Sequence, residues 1–528
     1  KRRRSNYLLL LSLRYFCSDR SKLHDEQQRK ARRGEAAAGA GGRMDGEKTP
    51  RLAWKTPLVF HSKLLCLSLL YLLTSLFVSI HVSVSQTGCV FRLAPLPLSD
   101  HEQRLGHPLF SYPPAYGEHK HALPSSSPEP TCESSVLFSD YLVALEEIRR
   151  LSRNWSYPRP AVDSSVLRYE TGKKGSFAGN FSTQERISYL RRGGGVDGDG
   201  GDDWDSSVEV PCGFFRQFPI PESDRRGMEN CRGVVVASAI FGNHDKLRQP
   251  KGVGLRTLET VCFFVFVDDA TLRDLARHRI LPAEGTGIAR VGVWRVIGLP
   301  TAGLPYKNPA MNGIVPKYLL HRLFPNSKFS IWVDAKMQLT VDPLLLVHSL
   351  LIADGGADMA VSMHPLNVHT MEEVVATARW RKWPDVEGLR RQMETYCENG
   401  LQPWSPAKLP YTTDVPDTAI ILRRHNLRSN LFSCLLFNEL EAFNPRDQVP
   451  FAFVRDLMRP RIKINMFPAE VLEQIAVEYR HNLKRPQEDP SEAKSREKMR
   501  RASSRGVAGS SCEAYLLKLW GDEANDSE

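Results

Sequence analysis

The chain has 528 residues, of which 41% are hydrophobic, and a formal net charge of +11 at pH 7. Nearly all of the excess positive charge lies in residues 1–63, which contain 16 Lys/Arg and 6 Asp/Glu. Residues 64–528 contain 55 Lys/Arg and 54 Asp/Glu and are therefore almost neutral. A nearly neutral region lacks the basic surface that nucleic-acid binding needs, which argues against a nucleic-acid partner. The length allows two or three average domains, or one large domain with tails.

Residues 1–43 are basic, rich in Ala and Gly, and without periodicity. A conventional start follows at Met44. We interpret residues 1–43 as a non-native leader from translation or gene modelling, or as a piece of a longer tail, and exclude them from fold prediction.

Residues 64–84 contain no Asp, Glu, Lys or Arg. At about 1.5 Å per residue, a helix of that length spans roughly 30 Å, the thickness of a bilayer core. Basic residues up to Lys63 precede the run, and the next Lys or Arg is Arg92. The positive-inside rule therefore predicts an uncleaved signal anchor, a cytosolic tail over residues 1–63 and a luminal body. The alternative is a signal peptide that is cleaved near Ser85.

Residues 85–205 are rich in Pro and Ser and end in an acidic Gly-rich run, which predicts a luminal stem with a short helix over 136–151. The charged segment 486–528 is too polar to pack and is predicted to be disordered. Three N-glycosylation sequons fit a luminal body; they begin at Asn154, Asn180 and Asn525.

Seven of the ten cysteines lie beyond residue 100, where an oxidising lumen would permit disulfides. Cys212 and Cys231 flank the entry to the folded region and are the predicted pair. Cys262 lies within an apolar run and is predicted to be a buried thiol.

Residues 206–485 alternate short apolar runs with helical patterns, which predicts an α/β domain with an open, mostly parallel sheet and flanking helices. The motifs of dinucleotide-binding, P-loop, metalloprotease and esterase sites do not occur in it. The predicted helices cover 271–278 and 313–324. The predicted strands cover 233–240, 261–267, 292–297, 329–336, 358–363 and 418–422.

The strand over 329–336 carries Asp334 and Lys336 near its end. Ligands of parallel sheets bind outside the carboxyl ends of the strands. A carboxylate can bind a divalent cation and a lysine can neutralise phosphate, so this pair is the predicted catalytic centre. The alternative is an ordinary edge Asp with a solvated Lys. Carboxylates at successive strand ends in a type II membrane protein are the usual layout of a Golgi glycosyltransferase of the GT-A kind.

Four stretches resemble a plant family of Golgi hexosyltransferases connected with mucilage, once catalogued only as a domain of unknown function. The stretches are 231–242 (CRGVVVASAIFG), 312–325 (NGIVPKYLLHRLFP), 331–336 (IWVDAK) and 444–448 (NPRDQ). The resemblance implies transfer of a hexose from a nucleotide sugar to a cell-wall polysaccharide or glycan, at the Golgi membrane and in possible association with other glycosyltransferases. One plant relative, connected with turgor control, is described as an alkaline ceramidase.

In GT-A enzymes a D-x-D motif holds Mn²⁺ or Mg²⁺ against the diphosphate of the donor. Here the second acid is Lys336. Either Asp334 binds metal with help from Asp342 or His481, or Lys336 partly replaces the metal as a fixed charge. Asp342 is better explained as a helix cap, and His481 equally well as a surface residue.

Donor contacts are predicted from five further residues. Asp245 and Asp268 follow the first two strands and either meet the nucleotide or cap loops. Lys317 and Arg322 lie on the helix before Asp334 and are candidates for phosphate, while Gln448 joins this set through the NPRDQ motif.

Asp414 and Asp447 are the predicted acceptor-side acids, one of them the general base if the reaction inverts configuration. Two other functions stay open. One is a ceramidase-like lipid amide hydrolase, for which His364 and His369 are the close histidine pair. The other is a non-catalytic scaffold, which Lys336 in the D-x-D position favours.

Overall fold

The structure, a computed structural model, divides into two units, Lys1–Phe77 and Val78–Glu528. In the first unit a helix with exposed side chains is described over residues 67–76. Among the described residues no helix is long and apolar enough to cross a membrane. The anchor predicted over 64–84 extends beyond the described residues on both sides. The described ranges are 67–76, 90–91, 136–137, 140–153, 167–172, 175–191, 209–281, 289–353, 355–380, 382–479 and 511–514.

The second unit is built from short strands and helices that alternate along the chain. Its described strands are β1 (Val90–Phe91), β2 (Val136–Leu137), β3 (Arg168–Tyr169), β4 (Glu209–Val210), β5 (Val234–Ile240), β6 (Cys262–Asp268), β7 (Arg290–Val291), β8 (Trp294–Leu299), β9 (Phe329–Val333), β10 (Met337–Leu339), β11 (Met359–Met363), β12 (Pro416–Arg424), β13 (Ile464–Phe467) and β14 (Ala476–Glu478). Its described α-helices are α1 (Tyr141–Arg153), α2 (Thr183–Arg191), α3 (Glu222–Glu229), α4 (Leu255–Thr260), α5 (Asp269–Arg277), α6 (Pro309–Tyr318), α7 (Leu320–Leu323), α8 (Pro343–Val347), α9 (Thr370–Arg379), α10 (Val386–Glu398), α11 (Leu427–Ala442), α12 (Gln448–Leu457) and α13 (Ala469–Ile475).

An eight-stranded sheet forms the centre of this unit, in the order β13-β11-β12-β9-β5-β6-β8-β7. The pairings make β5, β6, β8, β9, β11 and β13 run in one direction, with β7 and β12 opposed. The predicted α/β class with a large, mostly parallel sheet is therefore confirmed. We call the edge at which the six parallel strands end the carboxyl edge.

Both faces of the sheet are buried, which explains the continuous apolar runs in its central strands. In β5, Val235 and Ala237 pack into one hydrophobic core and Val234 and Val236 into the other. Each fully buried side chain of this size contributes about 1.5–3 kcal/mol. The sheet is thus the middle of three layers, and its ends are where polar side chains reach solvent.

Two local irregularities shape the carboxyl edge. Strand β9 ends at Val333, and Met337 N–H donates to Asp334 O (2.8 Å) to close a turn, so the strand predicted to continue to Lys336 is too long. Strand β12 bulges, because Val361 pairs with Ile421 whereas the next residue, Ser362, pairs with Asp417. Bulges of this kind redirect side chains beside functional sites.

Two segments from the predicted stem pack with the sheet. Ile148 of α1 belongs to one core, and Leu167, Phe177 and Leu190 belong to the other. Because residues 85–205 are rich in Pro and Ser, the sequence did not predict that these apolar side chains pack in the core. The domain boundary at residue 206 remains a prediction.

The disulfides differ from the predicted pair. Cys212 bonds to Cys434, Cys231 to Cys262, and Cys397 to Cys512. The pairing of Cys212 with Cys231 is wrong, and so is the free thiol at Cys262. Parallel pairing of β5 with β6, which sets Val235 opposite Cys262, brings Cys231 beside Cys262. Sequence proximity therefore gave the wrong partner for Cys212.

We expect non-reducing digestion and mass spectrometry to recover a peptide that links Cys212 to Cys434. This bridge spans 222 residues, so in the chain-entropy model its loss costs about 5 kcal/mol. Cys434→Ser should lower the melting temperature and expose Cys212 to alkylation, whereas Cys231→Ser should leave Cys212 protected. A peptide that links Cys212 to Cys231 would contradict the structure.

Candidate active site at the carboxyl edge

A buried lysine on α6 joins two acids at the carboxyl edge. Lys317 Nζ lies 3.3 Å from Asp334 Oδ1, directly after β9, and 2.8 Å from Asp447 Oδ2, directly before α12. Burial lowers the pKa of Lys317, but the two carboxylates outweigh it and raise the pKa above its ordinary value. Lys317 is therefore a charged, internally paired residue and not the solvated or phosphate-facing lysine that the sequence suggested.

Asp447 holds this lysine in place and is not exposed to an acceptor. Its carboxylate accepts hydrogen bonds from Tyr318 Oη (2.8 Å) and Thr418 Oγ1 (2.9 Å). Burial favours the protonated form, yet Lys317 and these hydrogen bonds hold the pKa of Asp447 below its usual value. A buried carboxylate with a depressed pKa is a poor general base, so the structure argues against the predicted acceptor-side role.

Asp334 is the acid of this group that faces the solvent. Its side chain is 28% exposed, and its Oδ1 accepts from Trp332 Nε1 (2.6 Å) as well as from Lys317. Among the described residues we find no hydrogen-bond donor to Oδ2. One carboxylate oxygen is thus fixed by the protein while the other is open to a ligand.

Lys336 is paired with an acid from the far end of the domain. Its Nζ lies 2.8 Å from Glu478 Oε1, because β10 and β14 pair with Met337 opposite Glu478. Burial lowers the pKa of Lys336, but Glu478, Asp334 and Asp417 together raise it above its ordinary value. A second carboxylate at position 336 would suit Mn²⁺ or Mg²⁺. An ammonium already neutralised by Glu478 does not, so these residues do not fit the D-x-D metal site.

Sequence analysis missed Asp417 and Glu478. The bulge in β12 brings half-buried Asp417 to the carboxyl edge, where its charge acts on both Lys336 and His364. A polar residue at the start of a predicted strand could have signalled Asp417. Glu478 carried no local signal, since its role depends on a contact across 142 positions.

Beside Asp417 lies a second group of charges around fully buried Glu373 of α9. Arg446 Nη2 (2.9 Å), Lys382 Nζ (3.6 Å) and His364 Nε2 (3.7 Å) surround its carboxylate. Burial opposes the charge of Glu373, but Lys382 and Arg446 hold its pKa below the usual value. His364 Nδ1 accepts backbone N–H groups from Leu366 and Asn367. With Nδ1 so occupied, His364 is a neutral donor through Nε2, not a base.

Several predicted site residues have structural contacts instead. Asp268 caps α5 through Thr271 N (2.9 Å) and accepts from Gly242 N (2.7 Å) with its other oxygen, which supports the capping interpretation. Gly242 has a φ of +66°, so a side chain there would be strained. The prediction that Asp342 caps a helix is confirmed by its bond from Leu344 N (2.8 Å).

Arg322 does not point to a phosphate. Its guanidinium donates to the carbonyl groups of Cys212 and Gly213 and lies over the rings of Tyr169 (4.5 Å) and Phe214 (4.6 Å). Burial lowers its pKa to about 10. Arg322 thus fixes the segment beside the Cys212–Cys434 bridge.

Asp414 is not accessible to an acceptor, so it cannot be the predicted general base. Its side chain is fully buried between Arg455 Nη2 (2.6 Å) and Lys408 Nζ (2.9 Å). Burial raises its pKa in spite of the two cations. No acceptor hydroxyl could reach this carboxylate without unfolding the loop.

The remaining predicted residues divide into three groups. Gln448, the first residue of α12, has a buried Oε1 with no hydrogen-bond partner in the part of the chain that the structure describes, and Asp245 lies half-buried in the loop after β5. Asn180 is exposed, as a glycosylation site requires. Lying outside the described residues are His481, Asn154 and Asn525.

One grouping of metal-ligand types occurs among the described residues, formed by Cys212, His321 and Cys434. Because its two sulfurs form a disulfide, they are not available as thiolate ligands. The carboxyl edge therefore stands as the candidate site. It offers an open oxygen of Asp334 in the same turn as the partly exposed ammonium of Lys336, an arrangement suited to an anionic group that carries hydrogen-bond donors.

The family model described as TOD1/MUCI70, glycosyltransferase-like domain, matches residues 162–481. Alkaline ceramidase TOD1 of Arabidopsis thaliana is 53% identical over 478 residues, which cover 88% of this chain and 98% of that protein. Probable hexosyltransferase MUCI70 of the same plant is 35% identical over 383 residues, which cover 70% of this chain and 61% of that protein.

Solved structures are similar only at a low level. Mouse xyloside xylosyltransferase 1 in its apo form has 9% identity and a TM-score of 0.25, over 45% of this chain and 84% of that one. Galactosyltransferase LgtC in complex with donor and acceptor sugar analogues has 12% identity and a TM-score of 0.23, over 44% and 72%. Such TM-scores do not establish a common fold.

The family match covers more than half of the chain and includes every motif on which the resemblance rested. It is joined by a relative that is 53% identical along almost its whole length. The chain therefore belongs to the TOD1/MUCI70 glycosyltransferase-like domain family.

Proposed function

We propose that this chain is a hexosyltransferase that moves a sugar from a nucleotide-sugar donor to a glycan or polysaccharide acceptor, with the donor at the carboxyl edge. The observation that carries the proposal is Asp334, whose Oδ1 is held by Lys317 and Trp332 while its other oxygen is open, in the turn that also carries the partly exposed ammonium of Lys336. Membership of a glycosyltransferase-like family and the name of the MUCI70 relative support it.

The chemistry asked of such a site is stabilisation of a departing nucleoside diphosphate. Fixed cations that need no reorganisation supply this, and one preorganised contact contributes about 2.7–4 kcal/mol to the barrier. The Lys336 side chain is 23% exposed at the carboxyl edge. The open oxygen of Asp334 can accept a hydrogen bond from a sugar hydroxyl.

On the acceptor side, Asp417 replaces buried Asp414 and Asp447 as the acid for general-base catalysis. It is half-buried and lies at the same edge as Asp334. A base of this kind deprotonates the acceptor hydroxyl if the reaction inverts configuration. His364 adds a hydrogen-bond donor nearby.

Lipid amide hydrolysis is the second candidate, since one relative is named an alkaline ceramidase. Exposed apolar side chains favour a lipid-facing substrate: Leu366 (57%) follows His364, and Leu409 (59%) follows Lys408, which binds Asp414. A hydrolase needs an activated water or nucleophile, however, and His364 is not available as the base. We therefore rank sugar transfer first.

Location at the Golgi membrane, with residues 85–528 in the lumen, is part of the proposal. The charge asymmetry around residues 64–84 and the exposed Asn180 sequon support it.

Asp334→Asn should lower sugar-nucleotide turnover at least 100-fold and leave the fold intact. The Asn side-chain oxygen can still accept the hydrogen bond from Trp332, and Lys317 is still paired with Asp447. The negative charge at position 334 is lost, however. Turnover of a panel of UDP- and GDP-hexoses and thermal melts are the measurements. Asp385→Asn is the matched control, because Asp385 is exposed and caps α10, where Asn caps equally well. Full turnover by a well-folded Asp334→Asn protein would disprove the site.

The same preparations should not release fatty acid from ceramide. The expected result follows because, among the described residues, the carboxyl edge has no metal site that would activate water for attack on an amide. Ceramide hydrolysis that survives in the control and disappears in Asp334→Asn, without sugar transfer, would favour the second candidate.

Protease treatment of sealed microsomes should leave a C-terminal tag intact, and detergent should expose it. The physical reason is that Arg51, Lys55 and Lys63 retain the N-terminal side in the cytosol. Digestion of the tag without detergent would refute the luminal orientation.

A further inference from the structure

We infer that Lys336 takes the place of a divalent cation in this site, so that a nucleoside diphosphate is bound by a tethered ammonium without metal. The inference rests on the proposed function, because it specifies how the donor's diphosphate is held. Its basis is the ion pair of Lys336 with Glu478, two residues after Asp334.

The surroundings of Lys336 are those of a bound cation. Its Nζ lies 2.8 Å from Glu478 Oε1, and the charges of Asp334 and Asp417 also act on it. In a D-x-D site a second carboxylate at position 336 would bind Mn²⁺ or Mg²⁺. Here the turn that follows β9 places an ammonium at that position and pairs it with Glu478.

A metal ion in addition to this ammonium is disfavoured. A divalent cation at Asp334 would lie close to Lys336 and to Lys317, whose Nζ is 3.3 Å from Asp334 Oδ1. Like charges at such distances repel strongly where water is scarce. Asp334 already shares the ammonium of Lys317 with Asp447, so a metal ion at Asp334 would compete with that ammonium for the same carboxylate.

Without a ligand, the Glu478 carboxylate occupies the position at Lys336 Nζ that an oxygen of the diphosphate would take. The side chain of Glu478 is 40% exposed, more than the 23% of Lys336, so the carboxylate can move outward while β14 stays paired. A diphosphate oxygen then replaces Glu478 Oε1 at Nζ in an exchange of one anion for another. Because Glu478 competes with the ligand, neutralising it should strengthen nucleoside diphosphate binding.

The test is calorimetry with UDP, GDP and ADP on the full chain, in EDTA and in Mn²⁺. We expect at least one of the three nucleoside diphosphates to bind the native protein. Its affinity in EDTA should differ less than twofold from its affinity in Mn²⁺. Lys336→Met should weaken binding in EDTA at least tenfold, and Lys336→Arg should retain metal-free binding. Glu478→Gln should tighten binding severalfold.

A second measurement uses Mn²⁺ alone, followed by electron paramagnetic resonance. The native protein should not bind it at the site, whereas Lys336→Asp should, because this change puts a second carboxylate two residues after Asp334 and removes the ammonium. Lys463→Met is the control for charge removal, since Lys463 is exposed just before β13, at the opposite edge. Glu394→Gln is the control for breaking an exposed Glu–cation pair. Thermal melts establish that each variant is folded.

The outcomes separate this inference from the proposed function. Metal-independent binding that depends on Lys336 supports both. Nucleoside diphosphate binding that needs Mn²⁺ in the native protein overturns the tethered cation and leaves the donor site standing. Failure of every nucleoside diphosphate to bind, with or without Mn²⁺, overturns the proposed function and the inference with it.

Discussion

The carboxyl edge depends on one buried ion triad, in which Lys317 lies between Asp334 and Asp447. A buried ammonium is costly unless carboxylates compensate it, and removing one partner leaves an unpaired charge. Its three members come from α6, the end of β9 and the start of α12, so satisfying the charge fixes three elements relative to one another. Tyr318 and Thr418 complete the hydrogen bonds of Asp447 and tie β12 into the same group.

The same principle recurs along the edge. Lys336 is matched by Glu478 from β14, and Glu373 by Arg446 and Lys382. Each pair joins segments that are distant in sequence, which makes the edge a preorganised set of charges. Such a set can stabilise developing charge without reorganisation, which is the main physical requirement for phosphate departure. Within the triad, Asp334 is the member with solvent exposure, and this distinguishes a ligand-facing acid from the acids that support it.

The two relatives are named for different activities, an alkaline ceramidase and a probable hexosyltransferase. A shared fold does not fix an activity, because chemistry depends on the groups that a site presents. At this carboxyl edge the presented groups are Lys336, Asp334 and Asp417, with His364 fixed as a donor. These groups are better suited to stabilising an anionic leaving group than to attack of water on an amide. Our proposal therefore follows the chemistry of the site and not the higher sequence identity to the relative named as a ceramidase.

The sequence by itself determined the features that depend on neighbours along the chain. Continuous apolar runs at 233–240 and 261–267 predicted buried parallel strands, and an Asp before Pro343 predicted a helix cap. It also put Asp334 at a strand end, because a change from apolar to polar residues is a local signal. Only the tertiary structure decided which charges meet. Strand pairing set Cys231 beside Cys262, and a bulge brought Asp417 to the carboxyl edge. Pairing of β10 with the distant strand β14 supplied Glu478, and loop packing buried Asp414. Such contacts depend on register and on segments far apart in the chain, and local periodicity carries no information about either.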